Sequence, residues 1–248
     1  MNRGDILGLI RAWSLPMTLA VSLVGIGYAR YLGLYYGVRV IYSLIAVVGA
    51  LLLHMSVNVL NDYYDFRHGV DRLDSPTAIY RRHPLVTGVM SPSQVRDLGL
   101  SLIIAGASLG IYLTVAEGYL ILVFGLLGVF LLYAYTGPPF TLKYRGLGEL
   151  SVALTWGPLL VGGFFVAASG GSLVPSVFLI SLPPFFIMLA IIYSNNYRDR
   201  EYDARAGIRT LAMVTARYGY WIYLGSLITA YAINTALVIT GLLPYTSL

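Results

Sequence analysis

The chain contains no cysteine, a single lysine and few charged residues of either sign. The absence of Cys from its 248 residues excludes disulfides, thiolate metal sites and cysteine nucleophiles. Asp, Glu, Lys and Arg make up only 11% of the residues, whereas a soluble domain contains about 25%. The composition is 58% hydrophobic, with a mean hydropathy of +0.75. These values predict a membrane protein with most of its mass in the bilayer.

Seven long apolar segments follow one another along the chain. Each is long enough, or nearly so, to cross about 30 Å of hydrocarbon as a helix. They cover residues 14–31, 40–60, 95–115, 119–135, 147–168, 174–193 and 218–243. We therefore predict an all-α, polytopic membrane helix bundle around a central cavity, formed by a single transmembrane domain over residues 1–248.

The basic residues are distributed unevenly between the loops. The net charge is +5, and of the basic residues only Arg30 and Arg39 fall on the less charged side of the predicted spans. The positive-inside rule then predicts a multi-pass protein of the cell membrane, with the N-terminus and the long polar loops in the cytoplasm. Basic loops of this kind set topology and meet anionic headgroups of membrane lipids, so no nucleic acid partner is expected.

Two acidic clusters end the second and sixth predicted spans. The members of the first are Asn58, Asn61, Asp62, Asp65 and Asp71, and those of the second are Asn195, Asn196, Arg198, Asp199 and Asp203. Spacings of three and four residues predict that Asn58, Asp62 and Asp65 share one helix face. The same spacing predicts a shared face for Asn195, Asp199 and Asp203. Packed side by side, the two faces would aim their carboxylates into one cavity.

Carboxylates at membrane depth need compensation by a cation or a polar cavity. Mg²⁺ binds hard oxygen ligands, usually one or two carboxylates together with waters and substrate phosphate oxygens. A lone Asp at a helix end is ordinarily paired with a nearby Arg, but two spaced pairs, each preceded by Asn, favour a metal site. The pattern predicts a diphosphate held through bridging Mg²⁺, which would neutralise the departing group.

Both clusters also carry a family resemblance. The runs Asn61-Asp62-Tyr63-Tyr64-Asp65 and Asp199-Arg200-Glu201-Tyr202-Asp203 resemble the two metal motifs of the UbiA superfamily of intramembrane prenyltransferases, over about residues 10–240. The resemblance implies a cavity that is usually surrounded by nine helices, where this chain predicts seven. It implies an Mg²⁺-dependent enzyme that ionises a polyprenyl diphosphate, such as geranylgeranyl diphosphate, for attack by an aromatic acceptor. The implied metal ligands are Asp62, Asp65, Asp199 and Asp203.

Further roles follow from this resemblance and from the charges near the motifs. Asp71 is expected to activate the acceptor or bind metal, and Lys143 to bind the departing diphosphate as a catalytic group. The expected substrate-binding residues are Asn58, Asn61, Arg72, Lys143, Asn195, Asn196, Arg198 and Arg209. By contrast, Arg81 and Arg82 are expected to be solvated or to face headgroups, with a loop that caps the cavity as the alternative, and His54 is expected to be packed and hydrogen-bonded.

The branch of the superfamily is indicated by Gly69. Many members that use 4-hydroxybenzoate or glyceryl phosphates have a third Asp at that position. Gly69 followed by Asp71 resembles instead the 1,4-dihydroxy-2-naphthoate prenyltransferases of menaquinone biosynthesis, which is the predicted function. An archaeal-type lipid prenyltransferase acting on a glyceryl phosphate is the alternative. Other classes that remain open are a cation-coupled transporter and a non-catalytic isoprenoid-binding protein; the oligomeric state is not predicted.

Overall fold

The computed structural model describes residues 3–248, and within that range it is helical and contains no strand. Seven helical stretches are long and apolar enough to cross a membrane, which confirms the predicted all-α bundle. In chain order, these spans are Ala12–Tyr31, Arg39–Arg67, Pro92–Glu117, Tyr119–Thr136, Gly148–Ser169, Ser176–Arg205 and Ala216–Ile239.

The first, sixth and seventh spans each consist of a short helix or 3-10 turn followed by a longer helix. The first span begins with a 3-10 turn at Ala12–Ser14 before its helix Leu15–Tyr31. The sixth joins Ser176–Ile180 to Leu182–Arg205. The seventh begins with the 3-10 turn Ala216–Tyr218 and continues as Gly219–Ile239.

The fifth span is interrupted in the middle. Its helices Gly148–Leu154 and Leu160–Ser169 flank a π-helical segment, Thr155–Leu159. Gly157 within that segment has non-helical dihedral angles.

The short helices beyond the spans are Arg3–Leu9, Pro76–Tyr80 and Leu211–Val214, with 3-10 turns at Leu142–Tyr144 and Tyr245–Ser247.

The second and sixth helices continue beyond the apolar segments that predicted them. The second runs to Arg67 rather than to residue 60, and the sixth runs to Arg205 rather than to residue 193. Seven extra residues lengthen a helix by about 10 Å. Hydropathy marks where the apolar residues end, whereas backbone hydrogen bonds carry the helix onward. Apart from Asp71, the members of both acidic clusters consequently sit on helix rather than in loops.

The spans pack in neighbouring pairs, the second along the third, the sixth along the seventh, and the first against the fifth. The last of these contacts depends on Gly25. A Cβ added there would lie 2.5 Å from the carbonyl oxygen of Val161 and 2.9 Å from the Cβ of Phe164. Small residues allow helix backbones to approach closely in a membrane, so Gly25 sets the spacing of the first and fifth spans.

Local signals mark several boundaries. Ser91 caps the third span by accepting from the backbone N–H of Gln94, whose side chain accepts from the Ser91 backbone N–H. This reciprocal capping box satisfies two orphan donors. After the second span, Gly69 has a φ of +71°, a left-handed conformation that favours glycine. The loop that follows folds back toward the cavity.

Candidate active site

A cavity of about 620 Å³ lies within the bundle, lined by residues from the first six spans. One end is polar and contains both acidic clusters. Ten of the predicted site residues line the cavity: Asn58, Asn61, Asp65, Asp71, Lys143, Asn195, Asn196, Arg198, Asp199 and Asp203. The rest of the wall is mainly apolar and includes Leu53, Leu109, Leu113, Ile121 and Phe124. The two clusters, more than 120 residues apart in sequence, therefore both contribute residues to one cavity.

Asp65 is held by two groups from the loop between the fourth and fifth spans. Lys143 Nζ and the Tyr144 hydroxyl each lie 2.5 Å from a different oxygen of its carboxylate. Burial is the largest single influence and lowers the pKa of Lys143, but the charge and hydrogen bond of Asp65 together with the nearby Tyr135 and Asp71 outweigh it and raise that pKa above its ordinary value. Lys143 is therefore a charged ammonium at the polar end of the cavity.

Asp71 lies in the loop after the second span, and its carboxylate is fixed by two donors. The Thr77 hydroxyl donates to Oδ1 at 2.6 Å, and His83 Nε2 lies 2.9 Å from Oδ2. Burial is the largest single influence and raises the pKa of Asp71, but the hydrogen bond and charge of His83, the charge of Lys143 and the hydrogen bond from Thr77 together outweigh it and lower that pKa to about 2. Asp71 is thus an ionised, oriented carboxylate on the cavity wall.

Asp62 faces away from the cavity, unlike its neighbours in the first motif. Its Oδ1 accepts hydrogen bonds from Arg11 at 2.8 Å and Arg81 at 2.6 Å, and its side chain is fully buried. The cavity face of the second span is formed by Asn58, Asn61 and Asp65. The structure does not bring Asp62, predicted as a metal ligand, to the cavity, because two guanidinium groups hold it on another face of the helix.

Asp62, Asp71 and His83 also form a buried group whose ligand atoms lie within 4.8 Å of one another. Such a group has the residue types of a metal site. Here, however, Arg11 and Arg81 both bond to Asp62, and His83 bonds to Asp71. Asp62 Oδ1 and both oxygens of Asp71 are compensated by these cations and donors, and Asp62 Oδ2 lies 3.8 Å from His83 Nε2, so we interpret the group as a structural ion-pair network.

The second motif presents its acids more openly. Arg198 forms two hydrogen bonds of 2.7 Å with the Asp199 carboxylate, while Asp203 lines the cavity one helical turn further on. The Tyr202 hydroxyl donates to the carbonyl oxygen of Val70 at 2.7 Å. This bond ties the end of the sixth span to the loop that carries Asp71, so the two acidic clusters are joined directly.

Two residues that were predicted to bind diphosphate lie away from the cavity. Arg72 is largely exposed and contacts Asp74. Arg209 is exposed, and its backbone N–H donates to the carbonyl oxygen of Tyr144. Both arginines are close to the motifs in the sequence, but neither of them lines the polar end of the cavity.

Four residues of the site region were missed or misplaced by sequence reasoning: Arg11, Tyr144, Arg81 and His83. The expectation that Arg81 and Arg82 both meet solvent holds for Arg82, whose side chain is 68% exposed, and is wrong for Arg81, at 4%. Arg81 has an extended backbone, and in extended chain residues two apart point the same way. Arg81 and His83 are accordingly buried on either side of the exposed Arg82, an alternation that the backbone conformation sets and that the sequence did not announce.

The donor set at the polar end fits a hard cation. Asn61 lines the cavity, and its Oδ1 is buried without a hydrogen-bond partner among residues 3–248. Carboxylate oxygens of Asp65, Asp199 and Asp203 line the same cavity. These are the oxygen ligands that Mg²⁺ binds.

This fold and this cavity define an all-helical membrane protein whose acidic, metal-compatible pocket opens onto an apolar interior. The model of the UbiA prenyltransferase family matches residues 18–248 of the chain. The chain is 31% identical over 233 residues to 1,4-dihydroxy-2-naphthoate octaprenyltransferase of Bacillus subtilis (strain 168), covering 92% of this chain and 74% of that protein. It is 36% identical over 197 residues to UbiA prenyltransferase domain-containing protein 1 of Rattus norvegicus, covering 77% of this chain and 55% of that protein.

Solved structures show the same fold at lower identity. A UbiA homolog from Archaeoglobus fulgidus bound to DMAPP and Mg²⁺ has a TM-score of 0.63 at 18% identity, covering 95% of this chain and 75% of that chain. A structure of digeranylgeranylglyceryl phosphate synthase has a TM-score of 0.63 at 20% identity, covering 96% and 78%. The chain belongs to the UbiA prenyltransferase family. The predicted family and the predicted enzyme class, a prenyltransferase, are both confirmed.

Proposed function

We propose that this protein transfers a prenyl group from a polyprenyl diphosphate to a small aromatic acceptor, with 1,4-dihydroxy-2-naphthoate as the preferred acceptor. The observation that carries the proposal is one cavity with Asp65, Asp203 and Lys143 at its polar end and apolar side chains beyond. A polyprenyl diphosphate has the matching two-part character. Its charged head suits the polar end, and its hydrocarbon chain suits the apolar wall.

Asn61, Asp65, Asp199 and Asp203 would hold Mg²⁺, and bound Mg²⁺ would neutralise charge on the departing diphosphate. Lys143 would donate charge-assisted hydrogen bonds to the same phosphate oxygens. In that complex the diphosphate takes over part of the role that Asp65 now plays for Lys143. Asn58, Asn195 and Asn196 would orient the carboxylates and the head group.

The reaction breaks the allylic C–O bond, and the diphosphate leaves with the bonding electron pair. A ring carbon of the acceptor then forms the new C–C bond to the allylic cation, and the acceptor's carboxyl group leaves as carbon dioxide. Asp71, ionised and held by Thr77 and His83, would accept a hydrogen bond from an acceptor hydroxyl and so raise the electron density of the ring.

Gly69 supports the naphthoate branch, and its backbone conformation also explains why glycine occupies this position. Its φ of +71° would strain an Asp at that position. The naphthoate prenyltransferase relative supports the same acceptor. The solved digeranylgeranylglyceryl phosphate synthase keeps a glyceryl phosphate acceptor as the second candidate, although its low identity supports the fold alone.

We also propose that the protein is a multi-pass protein of the cell membrane, with its polar end in the cytoplasm. The asymmetric distribution of basic residues supports this orientation. A cytoplasmic polar end would receive a soluble aromatic acceptor directly, while the prenyl chain would enter from the surrounding lipid.

The test is an assay of purified protein in detergent with geranylgeranyl diphosphate, Mg²⁺ and a panel of acceptors, with and without EDTA. We expect diphosphate release and a prenylated naphthoate only when metal is present. Asp65→Asn should abolish turnover, whereas Asp97→Asn, an exposed residue paired with Arg96, should not change it. Prenylation of a glyceryl phosphate instead would overturn the acceptor. Binding of the diphosphate without turnover of any acceptor would contradict the proposed enzyme activity and favour an isoprenoid-binding protein. Cation-coupled flux across vesicle membranes would favour a transporter.

A further inference from the structure

One polar cluster lies deeper in the cavity than the acidic carboxylates and is joined to Asn58, whose Nδ2 donates to the Ser14 hydroxyl at 3.2 Å. It consists of Ser14, Thr18, His54 and Trp156, contributed by the first, second and fifth spans, and all four line the cavity. His54 precedes Asn61 by seven residues, which places it about 10 Å deeper along the same helix. A prenyl chain forms no hydrogen bonds, so polar groups along its path would be buried at a cost without return. The cluster therefore suits a ligand with polar atoms.

His54 itself has no hydrogen-bonding capacity left for a ligand. The Ser14 hydroxyl donates to the carbonyl oxygen of Arg11 at 2.8 Å, so it must accept from His54 Nε2, which lies 3.1 Å away. His54 Nδ1 then accepts from the Thr18 hydroxyl at 2.8 Å. Both ring nitrogens of a neutral imidazole are thus satisfied.

Trp156 differs from His54 because its donor is free. Its indole Nε1 is buried and has no hydrogen-bond partner in the described part of the chain. The indole ring meets the His54 ring edge-on, with centroids 4.9 Å apart and an interplanar angle of 79°. Buried donors are nearly always paired in proteins. The Nε1–H of this cavity-lining residue is therefore available to an acceptor atom of a bound molecule.

The backbone at Trp156 also departs from regular helix. Trp156 lies in the π-helical segment Thr155–Leu159, and such single-turn bulges occur frequently at functional sites. The segment is wedged against the sixth span, where a Cβ added at Gly157 would lie 2.7 Å from the Cβ of Phe185. This packing and the satisfied His54 together hold the indole in place.

We propose that Trp156 is an acceptor-binding residue whose Nε1–H donates a hydrogen bond to an oxygen at the polar edge of the aromatic acceptor. The inference rests on the proposed function and adds the group that recognises the acceptor. A planar ring carrying hydroxyl or carboxylate oxygens satisfies the free donor and packs against the indole and imidazole rings. The prenyl chain satisfies neither requirement.

The test compares Trp156→Phe with Trp221→Phe, since Trp221 is 67% exposed on the seventh span and does not line the cavity. Titration calorimetry with 1,4-dihydroxy-2-naphthoate should show about three- to tenfold weaker binding to Trp156→Phe, the effect of losing one hydrogen bond. Binding of geranylgeranyl diphosphate with Mg²⁺ should be unchanged, and Trp221→Phe should match the wild type for both. Unchanged naphthoate binding, or weakening confined to the diphosphate, would overturn the inference.

A second measurement keeps Trp156 in place and so does not depend on whether Trp156→Phe folds. The sequence has three tryptophans, so incorporation of 5-fluorotryptophan gives three ¹⁹F signals, and the Trp13→Phe and Trp221→Phe variants assign them by elimination. Naphthoate should shift the Trp156 signal and leave the Trp221 signal in place. If wild-type protein prenylates the naphthoate without shifting Trp156, only this inference fails. If it prenylates no aromatic acceptor, the proposed function fails and the inference fails with it.

Discussion

Lys143 and Asp65 are 78 positions apart in the chain, yet the Lys143 ammonium and the Asp65 carboxylate lie 2.5 Å from each other at the polar end of the cavity. The pair joins the only lysine of the sequence to the last acid of the first motif. It also brings the loop before the fifth span onto the second span. A bound diphosphate and its metal ions would have to interact with both Lys143 and Asp65, which now contact each other.

The first prediction concerns that lysine. Lys143→Gln should lower the turnover number about a hundredfold, because a preorganised charge on the departing group is lost. The measurement is steady-state diphosphate release. Arg145, an exposed neighbour whose side chain donates to the carbonyl oxygen of Pro139, provides the matched control Arg145→Gln, which should keep wild-type turnover. Equal rates for Lys143→Gln and the wild type would rule out a diphosphate role.

A second prediction separates metal binding from chemistry. Asp203→Asn should raise the Mg²⁺ concentration for half-maximal activity by at least about tenfold, because one anionic oxygen ligand becomes neutral. Glu201, on the same helix with a 77% exposed side chain, provides the control Glu201→Gln, which should leave the Mg²⁺ dependence unchanged. The same Mg²⁺ curve for Asp203→Asn and wild type would remove Asp203 from the metal site.

A third prediction tests the buried network around Asp62. Arg81→Ala removes one of two guanidinium partners and should destabilise the protein by about 1–3 kcal/mol. That loss corresponds to a fall of roughly 2–12 °C in the melting temperature of a chain of this size. Thermal unfolding in detergent measures it. Arg82→Ala, at the exposed neighbouring position, should change the melting temperature little; if both variants behaved alike, the network would have no structural role.

A fourth prediction tests the contact of the first and fifth spans. Gly25→Ala places a Cβ 2.5 Å from the Val161 carbonyl oxygen, and such overpacking should cost about 1–3 kcal/mol. Gly27→Ala, two residues away on the same helix, has nothing within 4 Å of its added Cβ and should be neutral or slightly stabilising. Thermal unfolding of the two variants decides the matter: a melting temperature for Gly25→Ala equal to that of Gly27→Ala would contradict the close packing.

The predictable parts of this protein are those in which the signal is local. Apolar runs predicted all seven spans, since spanning a bilayer requires about 20 apolar residues in succession. The boundaries were less accurate where a helix leaves the hydrocarbon, as at Arg67 and Arg205, because hydropathy does not report backbone hydrogen bonds.

The residue types of the site were predictable from the sequence, whereas the choice of side chains that face the cavity was not. Spacing predicted a common face for Asn58, Asp62 and Asp65, but the cavity face is Asn58, Asn61 and Asp65. Residues 61 and 62 are adjacent, so they differ by about 100° around the helix axis, and spacings of three and four residues allow either choice. Arg11 and Arg81 decide it by holding Asp62 on the other face.

The sequence by itself determined the class of the protein: its hydropathy required a helical membrane bundle, and its two acidic motifs identified the family. Only the tertiary structure decided which side chains meet. Lys143 reaches Asp65, Arg81 turns inward to Asp62, and Arg72 and Arg209 stay outside the cavity. The reason is physical, because hydropathy and motif spacing are properties of neighbouring residues, whereas ion pairs between distant residues depend on how the spans pack and where the loops fold back.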